Sequence, residues 1–312
     1  MRKSAEVILD KYQMRKSKKQ KRAFADWLRG HLSEFDYSLT EDKYSKSGIN
    51  LIVGDIETAE VILTAHYDTQ PNFFFPMVMG FSNWFFFIIS QFASLLPLLA
   101  VITVYMIAVF PIFAASIIFQ TIPLAMLFLY CVQIICGIAN KHTANDNTSG
   151  VVTLISILEE MTAEDRAKVC AVFFDQEELG LIGSGNFAKK HKKAMSDKPL
   201  FNFDCVSDGG TLTFVMRKKF KESKCAKLLT DVSAKVMTAG DTDKKVRFAD
   251  ALTNIYMSDQ LYFPHGVGIV AAKKVPVLGY YIDRIHSRLD TKFDNENIEL
   301  LTAMMIELFR EI

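Results

Sequence analysis

Two histidines and three carboxylates stand at positions from which a folded chain could gather them: His66, Asp146, Glu178, Asp204 and His286. His66 ends the mostly apolar run that starts at Glu60, Glu178 follows the run Val169–Phe174, and Asp204 follows Leu200–Phe203. Asp146 opens a polar turn that leads into a helix, and His286 follows a fourth apolar run, Val275–Ile282. Short apolar runs of this kind read as buried strands. In open α/β sheets, sites form outside the carboxyl ends of the strands. Imidazole and carboxylate both suit zinc. With three carboxylates available, one can bridge two ions, leaving each ion a histidine, a second carboxylate and a share of a water. Two metals about 3.5–4 Å apart polarise a carbonyl and help to deprotonate that water. Glu177 remains outside this ligand count, and it can take the proton and hand it to a leaving amine. The expectation is hydrolysis of an amide bond with two zinc ions as cofactor.

The elements that must position these residues alternate. Residues 5–33 read as one or two amphipathic helices, with Phe24, Trp27, Leu28 and Leu32 on the apolar face. Strand candidates follow at Phe35–Leu39 and Asn50–Val53, and Gly54-Asp55 marks a turn. Val151, Val152, Leu154, Ile155, Leu158 and Met161 recur at helical spacing, and helices are also expected at Gly180–His191, Lys224–Thr238 and Asn295–Ile312. Strands alternating with helices imply an α/β fold: a mixed, mostly parallel sheet covered by helices on both faces.

Between His66 and Asp146 the pattern breaks. From Thr69 to Asn140 the chain has no Lys, Arg, Asp, Glu or His. About 20 apolar residues suffice to cross a bilayer as a helix. The division expected is a discontinuous catalytic domain, 1–72 and 139–312, carrying a two-helix transmembrane hairpin at 73–138 whose helices are Asn83–Val109 and Phe113–Ile138. Because His66 and Asp146 must reach one site, the number of crossings is even. Lys141 and the basic residues among the first 22 flank the catalytic part, and the turn near Pro111 has no Lys or Arg, which places catalysis in the cytoplasm. The basic N-terminal region reads either as a solvated helix face or as a patch drawn to an anionic leaflet. No signal peptide is expected, since Ala5–Leu9 is too short an apolar run. Formal net charge of +1 argues against a nucleic-acid partner. The five cysteines show no paired spacing, which suggests reduced thiols.

The runs AHYDT, ANDNTSG, FFDQEELGLIGS, NFD, MSDQLYF and HSRLDT, spread over nearly the whole chain outside the insert, resemble the aminopeptidase branch of the clan MH di-zinc metallopeptidases, which also includes glutamate carboxypeptidase and the glutaminyl cyclases. The resemblance implies that Asp146 is the bridging ligand, that His286 and Glu178 hold one zinc, and that His66 and Asp204 hold the other. It makes Glu177 the general acid/base and gives Asp68 the task of orienting the His66 ring. Asp259 and Asp290 are implied supporting residues. The implied activity is that of an aminopeptidase acting on peptides, hydrophobic or released at the membrane. The alternatives are a glutaminyl cyclase-like enzyme or N-acyl amide hydrolase, and a non-catalytic receptor or scaffold. In the family the interval between the first His and the bridging Asp is short and polar, so the insert leaves the substrate class open. His31, His142, His191 and His265 match nothing and read as structural or surface residues, as does Asp175. Cys205 reads as a small buried residue for which no base is placed.

Overall fold

The computed structural model describes residues 1–113 and 115–312; Ala114, in the connection between the two apolar helices, lies outside them. Among the described residues ten strands form one sheet. They are β1 (Leu39–Lys43), β2 (Ile49–Val53), β3 (Val61–His66), β4 (Met77–Gly80), β5 (Val169–Phe174), β6 (Leu200–Phe203), β7 (Thr211–Met216), β8 (Lys245–Asp250), β9 (Gly266–Val275) and β10 (Gly279–Ile285). The order is β1-β2-β5-β3-β6-β9-β10-β4, with β7 pairing β9 and carrying β8. The central strands β5, β3, β6 and β9 are parallel, and β1, β2, β10 and β4 run antiparallel to their neighbours. Every residue of β3, β5 and β6 is buried. That is the physical reason they read as continuous apolar runs rather than alternating ones.

Alternate side chains of β3 and β5 serve two cores, as a pleated strand requires. Val61, Leu63, Ala65, Val169, Ala171 and Phe173 join the larger core, while Ile62, Cys170, Val172 and Phe174 join the smaller one. The larger core is covered by the helices Lys3–Lys11, Lys18–Ser33, Gly150–Glu160, Lys224–Ala239 and Asn295–Glu311. The smaller is covered by Ile182–Lys190, which contributes Phe187. Leucine- and phenylalanine-sized side chains buried in this way contribute about 1.5–3 kcal/mol each. Ser17 starts the second helix as a capping box with Gln20.

The sequence reading differs from the structure where local signals were weak. Val275–Ile282 is not one strand but the end of β9, a turn and the start of β10. Pro276 has no N–H to give a ladder, and Gly279 sits at φ +113°, so the chain reverses there. The strand expected at Phe35–Leu39 begins only at Leu39, because Asp36 turns at φ +61°.

Two helices in the charge-free segment, Trp84–Ala108 and Ile117–Cys136, are long and apolar enough to cross a membrane, with mean hydropathies of 2.3 and 1.9. The segment does not begin as helix. Met77–Gly80 is β4, paired with β10, and Phe81 is fully buried. The ends of the segment are zipped together by Asn140 N–H to Gln70 O (3.1 Å), a bridge between Pro71 and Ala139, and Asn72 N–H to Ile138 O (2.8 Å). β4 is an outermost strand, and its free N–H groups are covered by the first apolar helix. Ser90 Oγ accepts from Gly80 (2.9 Å) and Ser94 Oγ from Val78 (3.2 Å), which closes an edge that would otherwise invite pairing with another chain.

Candidate metal centre

β3, β5 and β6 run parallel, so their ends carry His66, the Glu177-Glu178 pair and Asp204 to one side of the sheet. β10 runs the opposite way, yet His286 reaches the same place. β9 continues past the end of β6 by the stretch Val270–Val275, and β10 returns over that overhang. Left-handed residues redirect the chain at three of these ends: Gln176 (φ 59°), Cys205 (φ 54°) and His286 itself (φ 58°). Such conformations cost of order 1–3 kcal/mol and persist where the surroundings hold them. Asp146 lies in the irregular turn Ala144–Ser149 before the buried helix Gly150–Glu160.

All five expected ligands converge. His66 Nε2 lies 3.4 Å from Asp146 Oδ1 and 3.6 Å from Asp204 Oδ1. His286 Nε2 lies 3.0 Å from Asp146 Oδ2 and 3.4 Å from Glu178 Oε2. Asp146 therefore turns one carboxylate oxygen to each imidazole. Ligand atoms of His66, Asp146 and Glu178 fall within 4.8 Å of one another, as do those of His66, Glu177 and Asp204. Glu177 thus sits beside the ligand cluster. Asp68 reaches under the His66 ring: its backbone oxygen is 3.2 Å from Nδ1 and its carboxylate 3.7 Å. The same carboxylate accepts the backbone N–H of Glu177 (3.0 Å) and Glu178 (3.3 Å), so it anchors the glutamate loop to β3. Asp290 holds the other loop, accepting from Asn145 N–H (2.7 Å) and Asp146 N–H (2.9 Å).

Burial and crowding set the charges of these groups. Glu177 and Glu178 have their carboxyls pushed well above the usual range, first by burial and then by the carboxylates around them, Asp259 and Asp204 for Glu177 and Asp146 for Glu178. Burial also pushes Asp259 up to about 7. Asp146 goes the other way: burial opposes ionisation, but His286 and His66 hold it well below an ordinary carboxylate. Burial alone would lower His66, and Glu177, Asp146 and Asp204 together raise it well above 6.5. Asp204 Oδ1 and His286 Nδ1 are buried without hydrogen-bond partners among the described residues. Crowded carboxylates with imidazoles facing them form a donor set that divalent cations complete, and the residues present fit zinc.

Several contributors carried no recognisable signal. Arg15, in the basic N-terminal run, is fully buried. Its Nε donates to Tyr67 O (2.6 Å) and Nη1 to Thr148 Oγ1 (3.1 Å). Burial lowers its guanidinium to about 10, against the pull of Asp68 and Asp146. Lys21 is also interior, paired with Asp175 at 2.7 Å. These two cations belong neither to a solvated face nor to a leaflet-binding patch, because Lys21 is held by buried Asp175 and Arg15 by backbone carbonyls and the Thr148 hydroxyl in the interior. Gln70 fits between Glu178 and His286; with its amide turned to satisfy both neighbours, the nitrogen donates to Glu178 Oε1 (2.6 Å) and the oxygen accepts from His286 N–H (3.2 Å). Phe73 meets the His286 ring edge-on at 4.8 Å. Within ANDNTSG, Asn147 accepts from Gly150 N–H (3.0 Å) and donates to Phe203 O (2.9 Å), tying the Asp146 turn to β6. Cys205 is buried, and burial first, then Asp146 and Asp204, push its thiol well above 9. That environment disfavours the thiolate that nucleophilic attack requires.

The fold has solved counterparts. Glutaminyl cyclase from Porphyromonas gingivalis is 15% identical, with TM-score 0.61 over 99% of this chain and 97% of that one. A Zn-dependent exopeptidase from Parabacteroides distasonis is 14% identical, with TM-score 0.60 over 98% and 97%. The LapA aminopeptidase of Legionella pneumophila is 12% identical, with TM-score 0.56 over 99% of this chain and 67% of that one. At such identities the likeness is one of fold. No curated protein matches the sequence. The profile of peptidase family M28 matches residues 132–307, more than half of the 312. The chain belongs to peptidase family M28 and is a hydrolase of the zinc-metallopeptidase class.

Proposed function

We propose that this protein is a membrane-anchored aminopeptidase that removes N-terminal residues from peptides using two zinc ions. The observation that carries the reading is the split of the Asp146 carboxylate, Oδ1 towards His66 and Oδ2 towards His286. That split supports two ions sharing one carboxylate. Under this reading His66 and Asp204 would hold one zinc, His286 and Glu178 the other, and Asp146 would contribute to both. Zinc, when bound, supplies Lewis-acid polarisation of the scissile carbonyl and of the attacking water. Glu177 takes the proton of that water and passes it to the leaving amine nitrogen, and its buried surroundings favour holding the proton between the two transfers. Asp68 keeps the His66 ring and the Glu177 backbone in register for this exchange. The two apolar helices cross the bilayer, and the catalytic part faces the cytoplasm, since the connection between them lacks Lys and Arg while Lys141 lies at the catalytic end. The partners are then a peptide and a lipid bilayer, without nucleic acid.

The test is metal content by mass spectrometry together with turnover of a peptide library with free and blocked N-termini. Two zincs per chain and cleavage confined to free N-termini are expected. One zinc with cyclisation of N-terminal glutamine would replace the reading by the cyclase, and a metal-free inert protein would replace it by a scaffold.

A further inference from the structure

Above the metal centre lies a cavity of about 220 Å³. Its floor is the ligand cluster, but its walls are of a different kind. Met77 and Met79 of β4, Ile282 and Ile285 of β10, and Phe87 of the Trp84–Ala108 helix line it. Gln91, one turn beyond Phe87, lines it as well. The Gln91 Nε2 is shielded from solvent and has no hydrogen-bond partner among the described residues.

The base of this helix has two faces. At about 100° per residue, Phe86, Phe87, Ser90, Gln91 and Ser94 share one side. Phe86 packs so closely over Gly80 that a Cβ there would meet its ring at 2.6 Å. Ser90 and Ser94 bond the edge of β4. On the opposite side Trp84, Phe85, Ile88, Ile89 and Phe92 are 42–66% exposed. An exposed apolar surface and a wall of the metal-site cavity are thus separated by one helix.

Resting on the peptidase reading above, we infer that this helix is both anchor and specificity element. The cavity receives the first side chain of a peptide, bulky and apolar, and Phe87 closes its far end. A charged side chain would lose its hydration against Met77, Met79, Ile282 and Ile285 without a partner. Gln91 Nε2 donates to a carbonyl oxygen of the bound peptide, which supplies the acceptor that this shielded donor otherwise lacks.

The experiment uses the full chain, zinc-loaded, in lipid nanodiscs. Wild type, Phe87→Ala, Phe87→Leu, Gln91→Leu and the lipid-facing control Phe85→Ala are compared on dipeptide amides beginning with Ala, Leu, Phe or Trp, and on binding of L-phenylalaninamide by calorimetry. Wild type should favour Leu and Phe over Ala. Phe87→Ala and, more weakly, Phe87→Leu should shift the kcat/KM ratio towards Trp, by about fivefold or more for Ala. Gln91→Leu should raise KM about tenfold with kcat within about twofold, and Phe85→Ala should resemble wild type. Phe87 and Gln91 variants that match Phe85→Ala in selectivity, KM and amide binding overturn the inference. A wild type that cleaves nothing, yet binds L-phenylalaninamide about tenfold tighter than Gln91→Leu does, overturns the peptidase reading and upholds the subsite.

Discussion

At the scale of single residues, the loop after β5 presents adjacent glutamates differently. Glu178 meets His286 at 3.4 Å, while Glu177 gathers with His66 and Asp204. Glu177→Gln should therefore keep both zincs and the fold while lowering turnover by about 10²–10⁴-fold, the usual worth of general acid/base help. Near wild-type turnover in a zinc-loaded variant would remove the assignment. Asp146 divides its oxygens between two imidazoles, so Asp146→Ala should empty both metal positions, whereas His66→Ala or His286→Ala should weaken one. Metal-to-protein ratios decide this, and two tightly held zincs in Asp146→Ala would contradict a bridge.

Among the elements, the Trp84–Ala108 helix departs furthest from its sequence. Its charge-free run reads as membrane from end to end, yet Ser90 and Ser94 are hydrogen-bond acceptors for a sheet edge. Ser90→Ala leaves the Gly80 N–H facing the helix without an acceptor, and a buried unpaired donor costs about 1–3 kcal/mol. A lower thermal midpoint is expected for the detergent-solubilised variant. Thr103→Ala should leave it unchanged, since among the described residues the Thr103 hydroxyl bonds its own helix alone, at Leu99 O (2.8 Å). Equal midpoints for Ser90→Ala and wild type would show that the helix does not cap β4. Val169–Phe174 was legible because burial forces every position apolar. β7 and Gly266–Ala272 of β9 are equally buried but went unread, since Thr and Gly interrupt their apolar runs. β10 went unread because its Tyr, Asp and Arg residues sit at half-exposed positions.

For the molecule as a whole, the neck at 70–72 and 138–140 means that the chain enters and leaves the apolar segment on one side. His66 and Asp146 then meet although the segment separates them. If the helices cross the bilayer, a cysteine at Ile112, an exposed position on the connection, should react with an impermeant thiol reagent added outside intact cells. A cysteine at Lys192, exposed beyond the Ile182–Lys190 helix, should not, in a background without the five native cysteines. Labelling at Lys192 from outside would reverse the orientation, and full release of the protein by carbonate would remove the membrane from the account.

Residue type and strand-end position were enough for the sequence to single out His66, Glu178 and Asp204, because metal chemistry restricts the donors and parallel strands restrict where they emerge; the turn and loop motifs added Asp146 and His286. The strand alternation and the apolar insert were equally legible, since burial and lipid each leave a compositional mark. Only the tertiary structure decided how His286 arrives from an antiparallel strand, why Arg15 and Lys21 are interior, and that Phe87 and Gln91 overlook the metal centre. Those facts depend on the length by which β9 overhangs β6, on which carboxylates lie beneath a buried cation, and on the angle at which a helix leaves β4. Each is a relation between distant segments, and composition within one segment carries no trace of it.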